Sequence, residues 1–206
     1  MPRAGKGGRY HHGDLRTALI DVAIELIAER GVRDFSVVEA SRRLGVAPSA
    51  PYAHFSDRDE LLAAVTVRAY QNLFAEMQPA IEGISDPGDR LAGMAGGFVR
   101  FAATNRALFA VLYESGVDKA KHPEIEAAEQ PIAQALLDVV LALTGTSDLE
   151  SDSLATAVEA TATGFALLLL DGDFGDGAGA IEHAADQAVR AAKALINGRH
   201  LLTGES

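Results

Sequence analysis

The chain has 206 residues, a net charge of −11 at neutral pH and no cysteine. Without cysteine it cannot form disulfides or zinc-thiolate sites or use a cysteine nucleophile, which fits a reducing cytoplasm. The longest apolar stretch, residues 154–170, contains Glu159 and several threonines. It falls short of the pattern of a membrane-spanning helix, so we expect no membrane partner.

The charge is unevenly distributed along the chain. Residues 1–56 carry 8 Lys and Arg against 6 Asp and Glu, whereas residues 57–206 carry 10 against 23. DNA binding requires cations that face phosphates, and DNA would repel an acidic remainder. This asymmetry favours a DNA-facing amino-terminal end.

The first nine residues combine glycine and proline with three cations and show no apolar periodicity. This composition predicts a basic, disordered arm over residues 1–9. Arg3, Lys6 and Arg9 could lie in a DNA minor groove, or the arm could only improve solubility. The sequence leaves both interpretations open.

Order is predicted to begin near residue 10. Apolar residues at helical spacing predict a first helix over 14–30, which ends before Gly31. Ser36 and Glu39 have the spacing of a capping box, in which each side chain bonds the other residue's backbone N–H. They predict a second helix, which is ended by a left-handed turn at Gly45.

A third, short helix is predicted over residues 48–55. Pro48 suits its first turn, whereas Pro51 removes one further backbone donor, so this helix should begin loosely. Residues 56–59 repeat the capping pattern and predict a long fourth helix that ends before Pro79.

The remainder predicts helices only, and no segment alternates apolar and polar residues as a half-buried strand would. The predicted helices cover residues 87–104, 106–115, 123–144, 151–171 and 179–197. The fold class is therefore predicted to be all-α.

The helix, glycine turn and short helix over residues 36–55 have the layout of a helix-turn-helix, whose second helix enters the DNA major groove. An ordinary three-helix bundle shares the caps and the periodicity. Packing alone, however, does not require a Tyr and a His, here Tyr52 and His54, beside a short turn. With these residues in place, residues 15–62 resemble the amino-terminal domain of TetR-family regulators.

The resemblance implies a three-helix helix-turn-helix DNA-binding domain over residues 10–56. Behind it, a helical bundle for ligand binding and dimerisation would cover 57–200, with a flexible tail over 201–206. We interpret the protein as a repressor that binds a near-palindromic operator as a homodimer and is released by a small hydrophobic effector. A DNA-binding dimer without an effector is the alternative. We expect no enzymatic activity, cofactor or metal.

The resemblance also assigns DNA contacts, most of them to phosphates, and makes residues 48–54 the recognition helix. Ala47 and Ala53 depart from the family pattern, since they replace a cap and a cation. The DNA-binding candidates are Arg16, Ser36, Arg43, Pro48, Ser49, Ala50, Tyr52, His54 and Arg58.

Aromatic and methionine side chains are concentrated in the predicted body. Residues 105–113 also resemble a segment of the effector domain in one TetR subgroup. Such side chains either line a ligand pocket or fill a helical core, and both interpretations stay open. The candidates for ligand binding are Phe74, Met94, Phe98, Phe101, Phe109, Leu112 and Tyr113.

The last two predicted helices are rich in alanine, which permits close helix packing. In the family, the equivalent pair meets its two-fold mate as a four-helix bundle, and this places two recognition helices about one DNA turn apart. The resemblance therefore implies a homodimer formed through residues 151–171 and 179–197.

Three other patterns point to different functions but fit poorly. The glycines over residues 172–179 match neither phosphate-loop pattern and are interspersed with aspartates. Asp171, Asp173 and Glu182 match positions 1, 3 and 12 of a calcium loop, but the glycine required at position 6 is missing. The histidines at 11–12 lack the spacing of a helical metal pair.

Overall fold

The computed structural model describes residues 12–145 and 149–202, with side chains over 15–145 and 153–202. Its α-helices are His12–Arg30 (α1), Val37–Leu44 (α2), Arg58–Gly83 (α3), Pro87–Thr104 (α4), Arg106–Glu114 (α5), Pro123–Thr144 (α6), Leu149–Asp171 (α7) and Ala178–Asn197 (α8). Short 3₁₀ helices cover Ala50–Ala53, Lys119–Lys121 and Arg199–Leu201. These ranges contain no strand, which confirms the all-α prediction. The predicted arm, the histidine at position 11 and residues 203–206 lie outside the described residues.

The head, residues 12–57, is built by α1, α2 and the 3₁₀ helix Ala50–Ala53. The i, i+4, i+7 stripe of α1 buries Leu19, Ala23 and Leu26 almost completely. Phe55, which follows the 3₁₀ helix, is also fully buried and belongs to the same core. This core fixes the 3₁₀ helix against both α1 and α2.

Helix α3 connects the head to the rest of the chain. The Asp57 side chain accepts a hydrogen bond from the Glu60 backbone N–H at 2.8 Å, and Glu60 accepts one from the Ser56 backbone N–H. The predicted start is therefore observed, but the predicted end at Pro79 is wrong, since α3 continues to Gly83. The helix tolerates the missing N–H of Pro79 because α4 packs closely along this stretch.

Helix α4 is central to the body, residues 84–202, and contacts α3, α6, α7 and α8. Three of its residues are glycines at close helix crossings. A Cβ on Gly93 would lie 2.7 Å from the Ala80 Cβ, and one on Gly97 would lie 2.8 Å from the Glu76 carbonyl oxygen. Glycine is therefore what allows α3 and α4 to approach so closely.

Helices α7 and α8 differ in how much of their apolar surface is buried within this chain. The alanines of α8 at 184, 185, 188 and 192 are buried within this chain, where α8 packs on α4. A Cβ on Gly96 would lie 2.8 Å from the Val189 side chain, so this crossing is also close. The alanine stripe of α8, predicted as a dimer contact, is therefore occupied by α4. Helix α7, in contrast, leaves Leu167 and Leu168 49% and 44% exposed.

Candidate nucleic-acid interface and body cavity

The start of α2 is not the predicted capping box. Ser36 occupies the N-cap position, yet its side chain makes no capping hydrogen bond within the described part of the chain. Glu39 instead bonds Arg42 at 2.6 and 2.9 Å and Arg30 at 3.2 Å. The Arg42 hydrogen bond lowers the pKa of Glu39 to about 2. Two cations outcompete one backbone N–H for this carboxylate, and the Ser36 hydroxyl stays exposed.

The predicted recognition helix is a turn followed by the 3₁₀ helix Ala50–Ala53. Its backbone N–H groups reach back three residues, from Ala50 to the Ala47 oxygen and from Tyr52 to the Ser49 oxygen. Pro48 and Pro51 explain this form, because neither can donate a backbone hydrogen bond. Tighter i to i+3 bonds use the donors that remain.

The outer surface of the 3₁₀ helix displays several predicted DNA contacts. Pro48 and Ser49 are exposed, Ala50 and His54 are half-buried, and the Tyr52 side chain is 51% exposed. Arg16 reaches this surface from α1, with its guanidinium 5.0 Å from the centre of the Phe55 ring. The fold thus places Arg16 on the same side of the head as the side chains of the 3₁₀ segment.

Two of the arginines predicted to bind DNA are held by the protein itself. Arg43 donates to both oxygens of Glu29 at 2.7 Å, and this hydrogen bonding lowers the pKa of Glu29. Arg58 donates to the backbone oxygens of Val32 at 2.6 Å and Phe35 at 3.3 Å. The geometry makes these two arginines anchors of the α1–α2 connection, a role that the sequence did not indicate.

A cavity of about 350 Å³ lies between α3 and the body. Helices α3, α4, α6 and α7 each contribute residues at i, i+3 and i+7 spacing, so each presents one continuous face to it. The apolar lining consists of Leu73, Met77, Leu91, Met94, Ala95, Phe98, Leu112, Ile132, Ala133, Leu136, Ala155, Val158 and Ala162. The cavity is thus mostly apolar, as small-molecule sites usually are.

Four of the seven predicted ligand-binding residues line this cavity, namely Met94, Phe98, Leu112 and Tyr113. The other three do not. Phe101 lies one turn beyond Phe98 and is fully buried in the core. Phe109 stacks edge-on behind Phe98, with ring centres 5.8 Å apart, and Phe74 packs on the core elsewhere.

The search for aromatic and methionine side chains did not predict the polar residues of the cavity lining. Tyr70, Lys119, Glu129 and Glu159 all border the cavity. Glu129 shares a helix face with Ile132, and Glu159 shares one with Ala155 and Ala162, so a carboxylate among apolar residues of one face was the available signal. Lys119 begins the short 3₁₀ helix that precedes α6, and no periodicity could have placed it there.

Two sequence-profile matches classify the chain. Residues 19–65 match the profile described as bacterial regulatory proteins of the tetR family. Residues 91–192 match the Tetracyclin repressor-like C-terminal domain. Together they cover both the head and the body. The chain belongs to the TetR family of transcriptional regulators.

Curated relatives of this TetR-family protein are themselves regulators. The transcriptional activator FasR of Mycolicibacterium smegmatis is 27% identical over 138 residues, which is 67% of this chain and 62% of FasR. A BetI regulator of Brucella melitensis is 32% identical over 92 residues, 45% of this chain and 46% of BetI. The matches thus span less than two thirds of either relative. Their names agree with the classification of this chain as a TetR-family transcriptional regulator.

Solved structures share the fold. A tetR-family regulatory protein from Rhodococcus RHA1 superposes with a TM-score of 0.71 at 18% identity, covering 88% of this chain and 96% of that one. AibR, solved in complex with isovaleryl coenzyme A and operator DNA, gives a TM-score of 0.66 at 17% identity, with coverages of 84% and 95%. At these identities the likeness concerns the fold alone.

The structure also bears on the calcium-loop, metal-site and membrane-helix patterns considered from the sequence. Glu182, the last position of the apparent calcium loop, bonds Arg100 of α4 at 2.7 Å, so its carboxylate is turned away from the loop. Within the described residues, no group of three or more His, Asp or Glu could hold a metal ion. Among the described helices, one segment, Ser153–Asp171, is long and apolar enough to span a membrane by length and composition alone, and 28% of an 18-residue stretch of it is buried.

Proposed function

We propose that this TetR-family regulator is a homodimeric repressor that leaves a near-palindromic operator when a small, largely apolar molecule fills the body cavity. The observation that carries the proposal is the course of α3. Near its start, Arg58 binds the carbonyl groups that connect α1 and α2. Farther along, Tyr70, Leu73 and Met77 form one wall of the cavity. A single rigid helix therefore links the occupant of the cavity to the DNA-binding head.

Contacts between α5, α1 and α3 give a second connection. Helix α5 supplies Leu112 and Tyr113 to the cavity and packs against α1. The Asn72 amide of α3 donates to the Asn105 side chain, which precedes α5, at 3.1 Å. An occupant that shifts α5 would therefore also shift the helix that carries Arg16.

The homodimer is supported by the exposed apolar surface of α7. Leu167 and Leu168 lie on the helix whose apolar composition would otherwise suit a membrane. A second copy of α7 would bury this surface, as isologous dimer contacts do. Because the alanine stripe of α8 already packs on α4, α7 provides most of the apolar dimer contact. Flotation of the protein with vesicles, instead of dimerisation in solution, would contradict this arrangement.

DNA-binding residues are proposed in two groups. Arg16, Ser36, Ser49, Tyr52 and His54 would contact DNA directly, since their side chains border the exposed side of the head. Arg43 and Arg58 would support that surface without contributing a free cation, and the two prolines would shape the backbone. With so few free cations, binding should depend on both heads of the dimer.

The test is binding of the purified protein to its own upstream DNA at two salt concentrations. Double substitution of Tyr52→Ala and His54→Ala should abolish specific binding. Arg16→Ala should lower the salt slope by about one unit because one phosphate contact is lost. Lys193→Ala, which removes an exposed cation from α8, is the matched control and should change neither. Equal binding by all variants would refute the proposed interface.

The direction of regulation needs a separate measurement, because the relative FasR is named an activator. A reporter fused to the bound promoter should be silenced by the wild-type protein and released by the double variant. Activation of the reporter would make the protein an activator and would leave the DNA interface intact.

A further inference from the structure

The charged side chains at the cavity are one ammonium and two carboxylates. The Lys119 ammonium donates to Glu129 at 2.5 Å and to the Tyr70 hydroxyl at 3.0 Å. Burial opposes the charge on Lys119, but these two hydrogen bonds leave its pKa above the ordinary value. Lys119 therefore stays protonated, and its charge is already neutralised by Glu129.

Glu159 is the carboxylate that remains. It follows Val158 on α7 and lies one turn from both Ala155 and Ala162, all of which line the cavity. None of the ion pairs formed among the described side chains involves Glu159. The charge that borders the cavity is consequently negative, and the acidic body around it adds to the same potential.

Aromatic rings adjoin this carboxylate. The Tyr113 hydroxyl lies 3.4 Å from that of Thr163, which is one helical turn after Glu159 on the same face of α7. The Tyr113 ring lies 5.0 Å from Phe109, which in turn packs on Phe98. Aromatic faces carry negative partial charge and attract organic cations. The solvent-exposed edge of the cavity thus combines the exposed Glu159 carboxylate with the half-exposed Tyr113 side chain.

We propose that the cavity selects a lipophilic organic cation, a single amine on an apolar body. This inference rests on the proposed function, because it takes the cavity to be the effector site. The amine would pair with Glu159 beside Tyr113, and the apolar body would fill the space between Met77, Met94 and Phe98. An anionic ligand could reach the third N–H of Lys119, but it would then add a negative charge beside Glu129 and Glu159.

The test uses two ligand triplets that differ only in their head groups. They are 4-phenylbutylamine, 4-phenylbutanol and 4-phenylbutyrate, and octylamine, octanol and octanoate. Binding to the full-length protein is measured by titration calorimetry and by the rise in melting temperature. In each triplet the amine should bind about fivefold more tightly than the alcohol, and the carboxylate should bind most weakly.

Two glutamate variants test whether Glu159 causes the preference for the amine. Glu159→Gln should bring the amine within about twofold of the alcohol, since the carboxylate is replaced by a neutral amide of the same shape. The control is Glu126→Gln, which removes an exposed carboxylate of α6 that does not line the cavity. It should leave the fivefold preference unchanged. Preference for the alcohol or the carboxylate, or a preference for the amine that survives in Glu159→Gln, would overturn the inference.

The same titrations separate this inference from the function on which it rests. If none of the six compounds binds, the cavity is not an effector site and the proposed ligand response fails with it. If the alcohols or carboxylates bind best and release DNA, the effector site stands and only the proposed ligand class is wrong.

Discussion

The head and the body differ in how fully their apolar side chains are packed and their charged side chains are paired within the chain. In the head, Phe55 and Leu26 fill the core, and Arg43 and Arg58 are held by partners within the protein. The body, together with α3, borders a cavity of about 350 Å³ and leaves the apolar residue Leu167 half exposed. The head, with its packed core, presents one fixed surface. In the body, the cavity and the exposed apolar surface of α7 remain available to other molecules.

Phenylalanine truncation should show this contrast most strongly. Phe101 is fully buried, so Phe101→Ala should lower the free energy of unfolding by about 3–5 kcal/mol because it creates a new internal cavity. Phe98 already borders empty space, and Phe98→Ala should cost only about 2 kcal/mol. Urea denaturation of both variants measures the two values. Equal costs would show that Phe98 does not border an open cavity in solution.

Charging the exposed part of α7 should break the dimer. Double substitution of Leu167→Glu and Leu168→Glu should give a folded monomer whose operator affinity is lower by about 100-fold, or about 2.7 kcal/mol. Sedimentation velocity and DNA titration measure the two effects. Leu137→Glu, at a similarly exposed leucine of α6, is the control. A variant at positions 167 and 168 that remains dimeric would exclude this surface as the contact.

Removing an anchor of the head should have a smaller effect. Arg58→Ala should destabilise the protein by about 1–2 kcal/mol because the Val32 and Phe35 carbonyl groups lose their donor. Arg58→Lys keeps the charge but not the forked geometry, so it should recover only part of the loss. If Arg58→Lys restores both stability and DNA affinity fully, Arg58 acts as a simple phosphate cation.

Acid titration of Glu39 should give the smallest effect. The pKa of Glu39 is lowered from 4.5 to about 2 in the folded protein, chiefly by Arg42. Its contribution to stability is therefore present above pH 4.5 and is lost as the pH falls towards 2. Glu39→Gln should lose less stability over that window than the wild type, and Glu126→Gln should follow the wild type. Parallel curves for all three proteins would show that the Arg42 contact is not maintained in solution.

The sequence predicted those elements whose ends are encoded locally. Helices α4 and α6 occupy the predicted residues 87–104 and 123–144, because each begins at a proline in its first turn. Helix α3 was predicted too short because its continuation beyond Pro79 depends on packing against α4. The third helix was predicted as α-helical because the combined effect of Pro48 and Pro51 was underestimated.

The candidate sites were predictable to different extents. The family pattern predicts Tyr52 and His54 as DNA contacts, and the structure places Tyr52 on the exposed surface of the head. The anchoring of Arg43 by Glu29 joins two helices, and only the fold brings these residues together. Lys119 and Glu129 are ten residues apart, on a short 3₁₀ helix and on α6, so their contact at the cavity could not be inferred from helical spacing.

The two prolines of the recognition segment also bear on how fast the protein finds its site. Pro48 and Pro51 fix two φ angles before any contact with DNA, and the buried Pro51 and Phe55 side chains hold the segment on the head. Little chain entropy then remains to be lost on docking. Association should therefore proceed as an encounter of preformed surfaces, with a rate limited by diffusion and orientation and not by a coil-to-helix step.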